Sequence, residues 1–124
     1  MSIPAKILVV DGHPFLRHSL CLLLAEQSDW DVYEAENGEV ALDRIQELKP
    51  DVVVLAIIMT KMNGLEAASK IRKLSPETRV IFMSCRYTPQ EAAVITRLFG
   101  GNFVQKSDLC TDLIPTISRL LPLD

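Results

Sequence analysis

The middle of the chain reads Pro50-Asp51-Val52-Val53-Val54-Leu55-Ala56 and is apolar from residue 52 to residue 56. A short apolar run of this kind is consistent with a strand whose two faces are both buried. Both faces are covered when a strand lies inside a parallel sheet with helices above and below it. We therefore predict that Asp51–Ala56 is a central strand of an α/β domain.

The segments on either side alternate between short apolar runs and longer segments with helical periodicity. The first helical segment, for example, places Leu16, Leu20 and Leu24 on one face. Strands that alternate with helices in this way predict a doubly wound parallel sheet. The predicted strands are Ala5–Val10, Asp31–Ala35, Asp51–Ala56, Arg79–Ser84 and Asn102–Gln105.

The composition of the strands predicts their order in the sheet. The first, third and fourth are apolar almost throughout and belong in the middle, whereas the second and fifth mix polar and apolar residues and belong at the edges. This agrees with a flavodoxin-like five-stranded sheet of order 2-1-3-4-5 in three α/β/α layers. Pro14 fits the first turn of the first helix, and Gly100-Gly101 would end the fourth. Because Pro115 lies inside the last helical pattern, we expect that helix to start late or to bend.

The length of 124 residues fits one domain, residues 1–124. No apolar run approaches the length of a membrane span, and the start of the chain lacks a signal-peptide core, which predicts a cytoplasmic protein without membrane contact. A formal net charge of −3 argues against direct nucleic-acid binding by this domain. Cys21, Cys85 and Cys110 are odd in number and lack paired spacing, so we expect reduced thiols and no metal site.

Ligands of open α/β sheets bind beyond the carboxyl ends of the strands, where the strand order reverses. In this chain that crevice lies between the first and third predicted strands. The residues that follow the strands into it are Asp11, Gly12, His13, Ala56, Ile57, Ile58, Ser84, Cys85 and Lys106.

Four segments resemble the receiver domains of two-component response regulators: Ile7–Pro14, Pro50–Leu65, Val80–Ser84 and Phe103–Lys106. The resemblance spans nearly the whole chain and implies a signal-transduction module of a two-component or phosphorelay system rather than an enzyme. In that family an aspartate stands where Ala56 stands and accepts a phosphoryl group. An acidic pair stands at the places of Asp11 and Gly12 and helps to hold Mg²⁺, with a hydroxyl residue and a lysine where Ser84 and Lys106 stand.

This chain keeps Asp11, Ser84 and Lys106 but lacks the nucleophile at Ala56 and the second acid at Gly12. Asp51 is no substitute, because five residues of extended strand place it about 16 Å away at the opposite end. We therefore predict a degenerate receiver that forms no acyl phosphate, holds Mg²⁺ weakly or not at all, and needs no cofactor.

The alternative is an ordinary phosphorylatable receiver inactivated by an engineered Asp-to-Ala change at Ala56, which would regulate an attached DNA-binding output domain. Gly12, Ile58 and Thr60 also depart from the residues usual in the family. A single designed substitution would not produce that set, so the pattern favours natural degeneration.

The residues that remain suggest further roles. Because two acids are lost, we expect Asp11 and Lys106 to form an opposite-charge pair. The alternative is that the Lys106 side chain extends into solvent. Ser84 and Phe103 resemble the residues that couple a receiver's site to the face formed by the fourth helix, fifth strand and fifth helix. The alternative is that Ser84 caps a strand and Phe103 packs in the core.

The resemblance implies three kinds of partner: a histidine kinase, an attached output domain, or a second copy bound through the fourth-helix, fifth-strand and fifth-helix face. His13-Pro14 begins a helix as in many receivers attached to DNA-binding domains, which slightly favours transcription regulation.

Three other readings are weaker. Asp11-Gly12-His13 matches the opening of a cobalamin-binding motif, but Leu16 stands at its glycine position. A haloacid-dehalogenase-type phosphatase would need an aspartate where His13 stands. Cys85 lies at the crevice, but no histidine is at a spacing typical of a thiol nucleophile.

Overall fold

The computed structural model describes residues 3–121, which form one five-stranded sheet flanked by helices. The elements in chain order are β1 (Ala5–Val10), α1 (Pro14–Ala25), β2 (Trp30–Ala35), α2 (Gly38–Leu48), β3 (Val52–Ala56), α3 (Gly64–Leu74), β4 (Arg79–Ser84), α4 (Pro89–Phe99), β5 (Asn102–Gln105), a 3-10 turn (Lys106–Asp108) and α5 (Leu109–Leu120).

All strand pairs are parallel, and the order is β2-β1-β3-β4-β5. The predicted flavodoxin-like sheet is therefore confirmed. Three strands have the predicted limits, while β2 begins one residue earlier, at Trp30, and β3 begins one residue later, at Val52. Val10 pairs with Leu55 in the register, so the residues that follow them leave neighbouring strands side by side at the carboxyl edge.

The alternation of side chains along the strands divides the core between the two faces of the sheet. In β1, Leu8 and Val10 face the layer that contains α2, α3 and α4. Ile7 and Val9 face the opposite layer, which contains α1 and α5. Every residue of β3 is buried, whereas β2 and β5 are only partly buried, as expected for edge strands.

One helix start and one helix end follow from short-range signals in the sequence. His13 caps α1 by accepting a hydrogen bond from the backbone N–H of Leu16, and Pro14 is the first helical residue, as predicted. After α4, Gly100 and Gly101 have φ of 77° and 81°, a conformation that glycine adopts without steric cost.

Of the two outcomes predicted for Pro115, a late start of the last helix is wrong, because α5 begins at Leu109 and continues through the proline to Leu120. A bend at Pro115 stays a prediction. A proline at this point removes one backbone donor from the helix. Buried Leu113 and Ile117 anchor the same helix on the sheet, and this packing outweighs the lost hydrogen bond.

Within residues 3–121, no helix has both the length and the apolar character needed to cross a bilayer.

Candidate functional site

A cavity of about 490 Å³ lies at the carboxyl edge of the sheet, where the strand order reverses. Buried Met83 and Ser84 and exposed Ile58 are among its lining residues. Its lining consists of Asp11, Gly12, His13, Ile58, Met59, Thr60, Met83, Ser84, Cys85, Arg86 and Lys106. Seven of the nine predicted crevice residues line this cavity, whereas Ala56 and Ile57 do not. The seven are Asp11, Gly12, His13, Ile58, Ser84, Cys85 and Lys106.

The carboxylate of Asp11 is almost fully enclosed, with its side chain 3% exposed. Its Oδ1 accepts a hydrogen bond of 2.8 Å from the backbone N–H of His13, which holds the turn that leads into α1. Its Oδ2 lies 3.0 Å from Nζ of Lys106 but has no partner in hydrogen-bonding geometry. The predicted opposite-charge pair is therefore present, and it leaves one buried carboxylate oxygen without a hydrogen bond.

Ala56, at the position of the family's phosphoacceptor, is buried with 1% of its surface exposed. Its side chain belongs to the core cluster on the α1 and α5 face. Met59, three residues later, lines the cavity and packs against both core clusters. A flexible thioether thus lies between the cavity and the core, a place for which methionine is suited because it adapts to irregular space.

Gly12 and Ile58 line the cavity without polar side chains. A Cβ placed on Gly12 would meet nothing closer than the carbonyl oxygen of Glu36 at 3.8 Å, so the space beside Asp11 is open. Ile58 is 51% exposed. The entrance is therefore more apolar than a site for a doubly charged phosphoryl group requires.

Ser84 and Phe103 make contacts that fit their structural interpretation. The buried hydroxyl of Ser84 accepts a hydrogen bond of 3.2 Å from the backbone N–H of Arg86. The ring of Phe103 packs edge to face against Tyr87, with centroids 6.4 Å apart, and Gln105 donates a side-chain hydrogen bond to the carbonyl of Tyr87. A switching role for Ser84 and Phe103 stays a prediction.

Arg17 supports the site from α1, although no motif or spacing in the sequence singles it out. Its Nη1 donates to the carbonyl oxygen of Asp11 at 2.9 Å, and its Nε donates to Glu34 of β2 at 2.7 Å. The hydrogen bond from Arg17 lowers the pKa of the Glu34 carboxyl below its ordinary value. This linkage ties the first helix, the edge strand and the turn at Asp11 together.

We expect the Glu34→Gln variant to be less stable than the parent chain at pH 7, by less than about 1 kcal/mol because the pair is partly exposed. Since the folded pKa of Glu34 is lowered, its contribution exists above the unfolded value near 4.5 and is lost as the pH falls through the folded value. Urea unfolding at several pH values measures the difference, which should vanish in acid. Glu47→Gln, which removes a looser ion pair of 3.8 Å to Arg44, is the matched control, and an equal effect of both variants would contradict the expectation.

The donor set at this edge is a poor match for Mg²⁺, which takes hard oxygen ligands and keeps much of its hydration. Asp11 is the only carboxylate that lines the cavity. One of its oxygens is used by the His13 backbone and the other faces an ammonium group. In the described part of the chain, no group of three or more His, Cys, Asp or Glu side chains is placed to share a metal ion.

The thiols offer little chemistry at the site. Burial raises the pKa of the Cys21 thiol to about 11, so this residue serves packing in α1. Cys85 lines the cavity and is exposed. His13 is the histidine in the lining, and its Nδ1 accepts the hydrogen bond that caps α1.

Comparison with known proteins gives a consistent result. The family model of the response regulator receiver domain matches residues 7–115. The response regulator protein VraR of Staphylococcus saprophyticus subsp. saprophyticus is 30% identical over 119 residues, which cover 94% of this chain and 56% of that protein. This chain therefore spans little more than half the length of that relative.

Two solved structures resemble the fold closely. The response regulator domain of CheB from Thermotoga maritima has a TM-score of 0.85 and 31% identity, with 98% of each chain covered. A DNA-binding response regulator of the LuxR family from Staphylococcus aureus has a TM-score of 0.83 and 25% identity, with 94% of this chain and 98% of that chain covered.

Proposed function

Because the chain belongs to the family of response regulator receiver domains, we propose that it is a degenerate receiver, which transmits a signal through protein contacts without being phosphorylated. The observation that carries this proposal is the buried methyl group of Ala56 at the position of the family's phosphoacceptor. A methyl group has no lone pair with which to attack phosphorus, so the acyl phosphate cannot form at that position.

The surroundings of Ala56 support the same conclusion. Asp11 is the one carboxylate at the cavity, and its ion pair with Lys106 occupies the lysine that balances the charge of the phosphoryl group in the family. Without a second acid at Gly12, the site has too few oxygen ligands to hold Mg²⁺ tightly. We therefore propose that neither the metal nor the phosphoryl group takes part in its signalling.

Incubation with acetyl phosphate and Mg²⁺, followed by intact-mass measurement, tests the proposal. We expect the mass to stay unchanged, while a phosphorylatable receiver treated in parallel gains one phosphoryl group. An adduct on this chain, followed by mapping of the modified residue, would refute the proposal wherever the residue lies. The same measurement on an Ala56→Asp variant tests the alternative that Ala56 was engineered into an ordinary receiver. The variant should gain a phosphoryl group only if the rest of the site can still support phosphorylation.

A signalling domain without phosphorylation must take its input from a partner, because no ligand at the phosphoacceptor position would favour one conformation over another. We infer that the partners are of the kinds known for receivers, a histidine kinase, an attached output domain or a second copy. Val94 and Leu98 support a contact through α4, since they lie one helical turn apart and are 42% and 70% exposed.

We further infer that the domain belongs to a cytoplasmic regulator of transcription, in which a DNA-binding domain follows this chain. VraR extends well beyond the matched region, and the LuxR-family structure is described as a DNA-binding response regulator. The net charge of −3 disfavours DNA binding by this domain, so we infer that the following domain makes the contact with DNA.

A further inference from the structure

Helix α1 has an outer face that is almost uncharged. Its exposed side chains are those of Pro14, Phe15, His18, Leu22 and Ala25. Phe15 and Leu22 are 78% and 61% exposed. Arg17 is the one residue of α1 with a permanent charge, and its guanidinium is bound to Glu34 beside β1. A surface helix that is apolar on its outer face as well as on its inner face has a second surface to bury.

The exposed residues of α1 have the spacing of a contact between two helices. Four of them follow one another at intervals of three, four and three residues: Phe15, His18, Leu22 and Ala25. These intervals are those of the a and d positions of a coiled coil, a seam narrower than the face that a helix packs on a sheet. The side chain of His18 is 68% exposed, although its Nδ1 lies 3.7 Å from Glu34. The partner that fits this seam is therefore another helix.

The seam of α1 is complementary to itself when two copies run in opposite directions. With a twofold axis level with Leu20, Phe15 of each copy lies opposite Ala25 of the other. His18 of each copy then lies opposite Leu22 of the other. The largest side chain of the seam thus meets the smallest one, so that both ends of the contact can pack closely.

The charges at the ends of α1 favour the same arrangement. α2, α3 and α4 each have an acidic residue in the first turn, where it interacts favourably with the positive end of the helix dipole. α1, which is described over its whole length, has none there, and Asp11 just before it is paired with Lys106. The antiparallel pair places Glu26, the exposed residue that follows α1, beside the first turn of the other copy. Each copy supplies the acid that the other lacks.

We propose that the chain forms a twofold-symmetric dimer through α1, with Phe15 of each copy packed on Ala25 of the other. α1 and α4 lie on opposite faces of the sheet, so this surface is separate from the α4 contact. The inference rests on the proposed function, because a second copy is one of the partners named there. Two helices of 12 residues bury less than the roughly 1,600 Å² of a standard interface, so we expect a dissociation constant on the order of 100 µM.

Sedimentation equilibrium from about 10 µM to about 1 mM protein tests the proposal. Leu22→Lys is expected to weaken the dimer at least about tenfold, because it places an ammonium group in the seam of each copy. Leu98→Lys makes the same change at an exposed leucine of α4 and is the matched control, with an expected dissociation constant equal to that of the parent chain. A parent chain that stays monomeric would leave the seam to a helix of another protein and overturn the proposal. Equal effects of the two variants would overturn it as well.

Ala25→Phe distinguishes this register from a general attraction between apolar surfaces. The added ring would strengthen an unspecific association, but in the proposed register it collides with Phe15 of the other copy, and we expect about tenfold weaker binding. The double variant Phe15→Ala, Ala25→Phe exchanges the large and the small residue and should recover the affinity to within about threefold of the parent chain. Both positions are exposed, and circular dichroism checks that the variants are folded. Tighter binding by Ala25→Phe alone, or no recovery in the double variant, would overturn the register.

Failure of this inference is distinguishable from failure of the proposed function. A monomer with an unchanged intact mass after treatment with acetyl phosphate would overturn the α1 dimer alone. A phosphoryl adduct would overturn the proposed function whatever the sedimentation gives.

Discussion

The double variant Gly12→Asp, Ala56→Asp is expected to melt roughly 10 °C below the parent chain in metal-free buffer at neutral pH. Residue 56 is buried, and its neighbour at the end of the adjacent strand is the buried Asp11. Three carboxylates would then share one edge with two cations, Lys106 and Arg86, of which Lys106 is already paired with Asp11. Like charges in a poorly solvated place destabilise the folded state, here by about 3 kcal/mol.

The variant Gly12→Asn, Ala56→Asn separates the charge from the shape, since asparagine has nearly the same volume as aspartate. It should lose much less stability than the aspartate variant at neutral pH. The added carboxyls have a raised pKa in the folded state, so the gap between the two variants should narrow as the pH falls and they become protonated. Differential scanning calorimetry with a chelator present measures both melting temperatures.

Mg²⁺ provides a further readout, because a divalent cation neutralises clustered carboxylates and has no such effect on amides. We expect added Mg²⁺ to recover part of the loss in the aspartate variant and none in the asparagine variant. An aspartate variant that melts at or above the parent chain without metal would contradict the charge argument.

The sequence predicts the strands of this fold well because the signal is local. A strand buried on both faces must be apolar along its length, and β3 and β4 meet that requirement almost residue by residue. Strand ends are less well defined, because a terminal residue such as Asp51 is neither apolar nor excluded from a strand. Pro115 shows the limit of a local rule, since one missing donor in α5 is outweighed by packing that only the tertiary structure reveals.

Some residues of the site could be predicted from local sequence signals, and others depend on the tertiary structure. Asp11, Gly12 and Lys106 follow directly from strand ends, which parallel pairing brings to one edge. Arg17 and Met59 could not be found in this way, because their roles depend on where a long side chain extends from a helix or a loop. Periodicity places Arg17 on α1 but does not direct its guanidinium to the carbonyl of Asp11.

Gly64→Ala is expected to lower the free energy of unfolding by about 3 kcal/mol, through a clash rather than a charge. Gly64 begins α3, and its backbone N–H donates to the carbonyl of Ile57 at 2.8 Å, which closes the loop after β3. A Cβ on Gly64 would overlap the carbonyl oxygen of Ala56 and lie 2.8 Å from Cα of Ile57. Both are backbone atoms, so the clash cannot be relieved by rotation of a side chain.

Gly12→Ala is the matched control, because it makes the same chemical change at the same edge of the sheet with no atom closer than 3.8 Å to the new Cβ. Both variants reduce the conformational freedom of the unfolded chain equally, so that effect cancels in the comparison. Gly12→Ala should therefore be neutral or stabilise by up to about 1 kcal/mol in urea unfolding. Equal stabilities of the two variants would mean that the loop carrying Met59 can shift away from Ala56, and the packing argument for that loop would then be wrong.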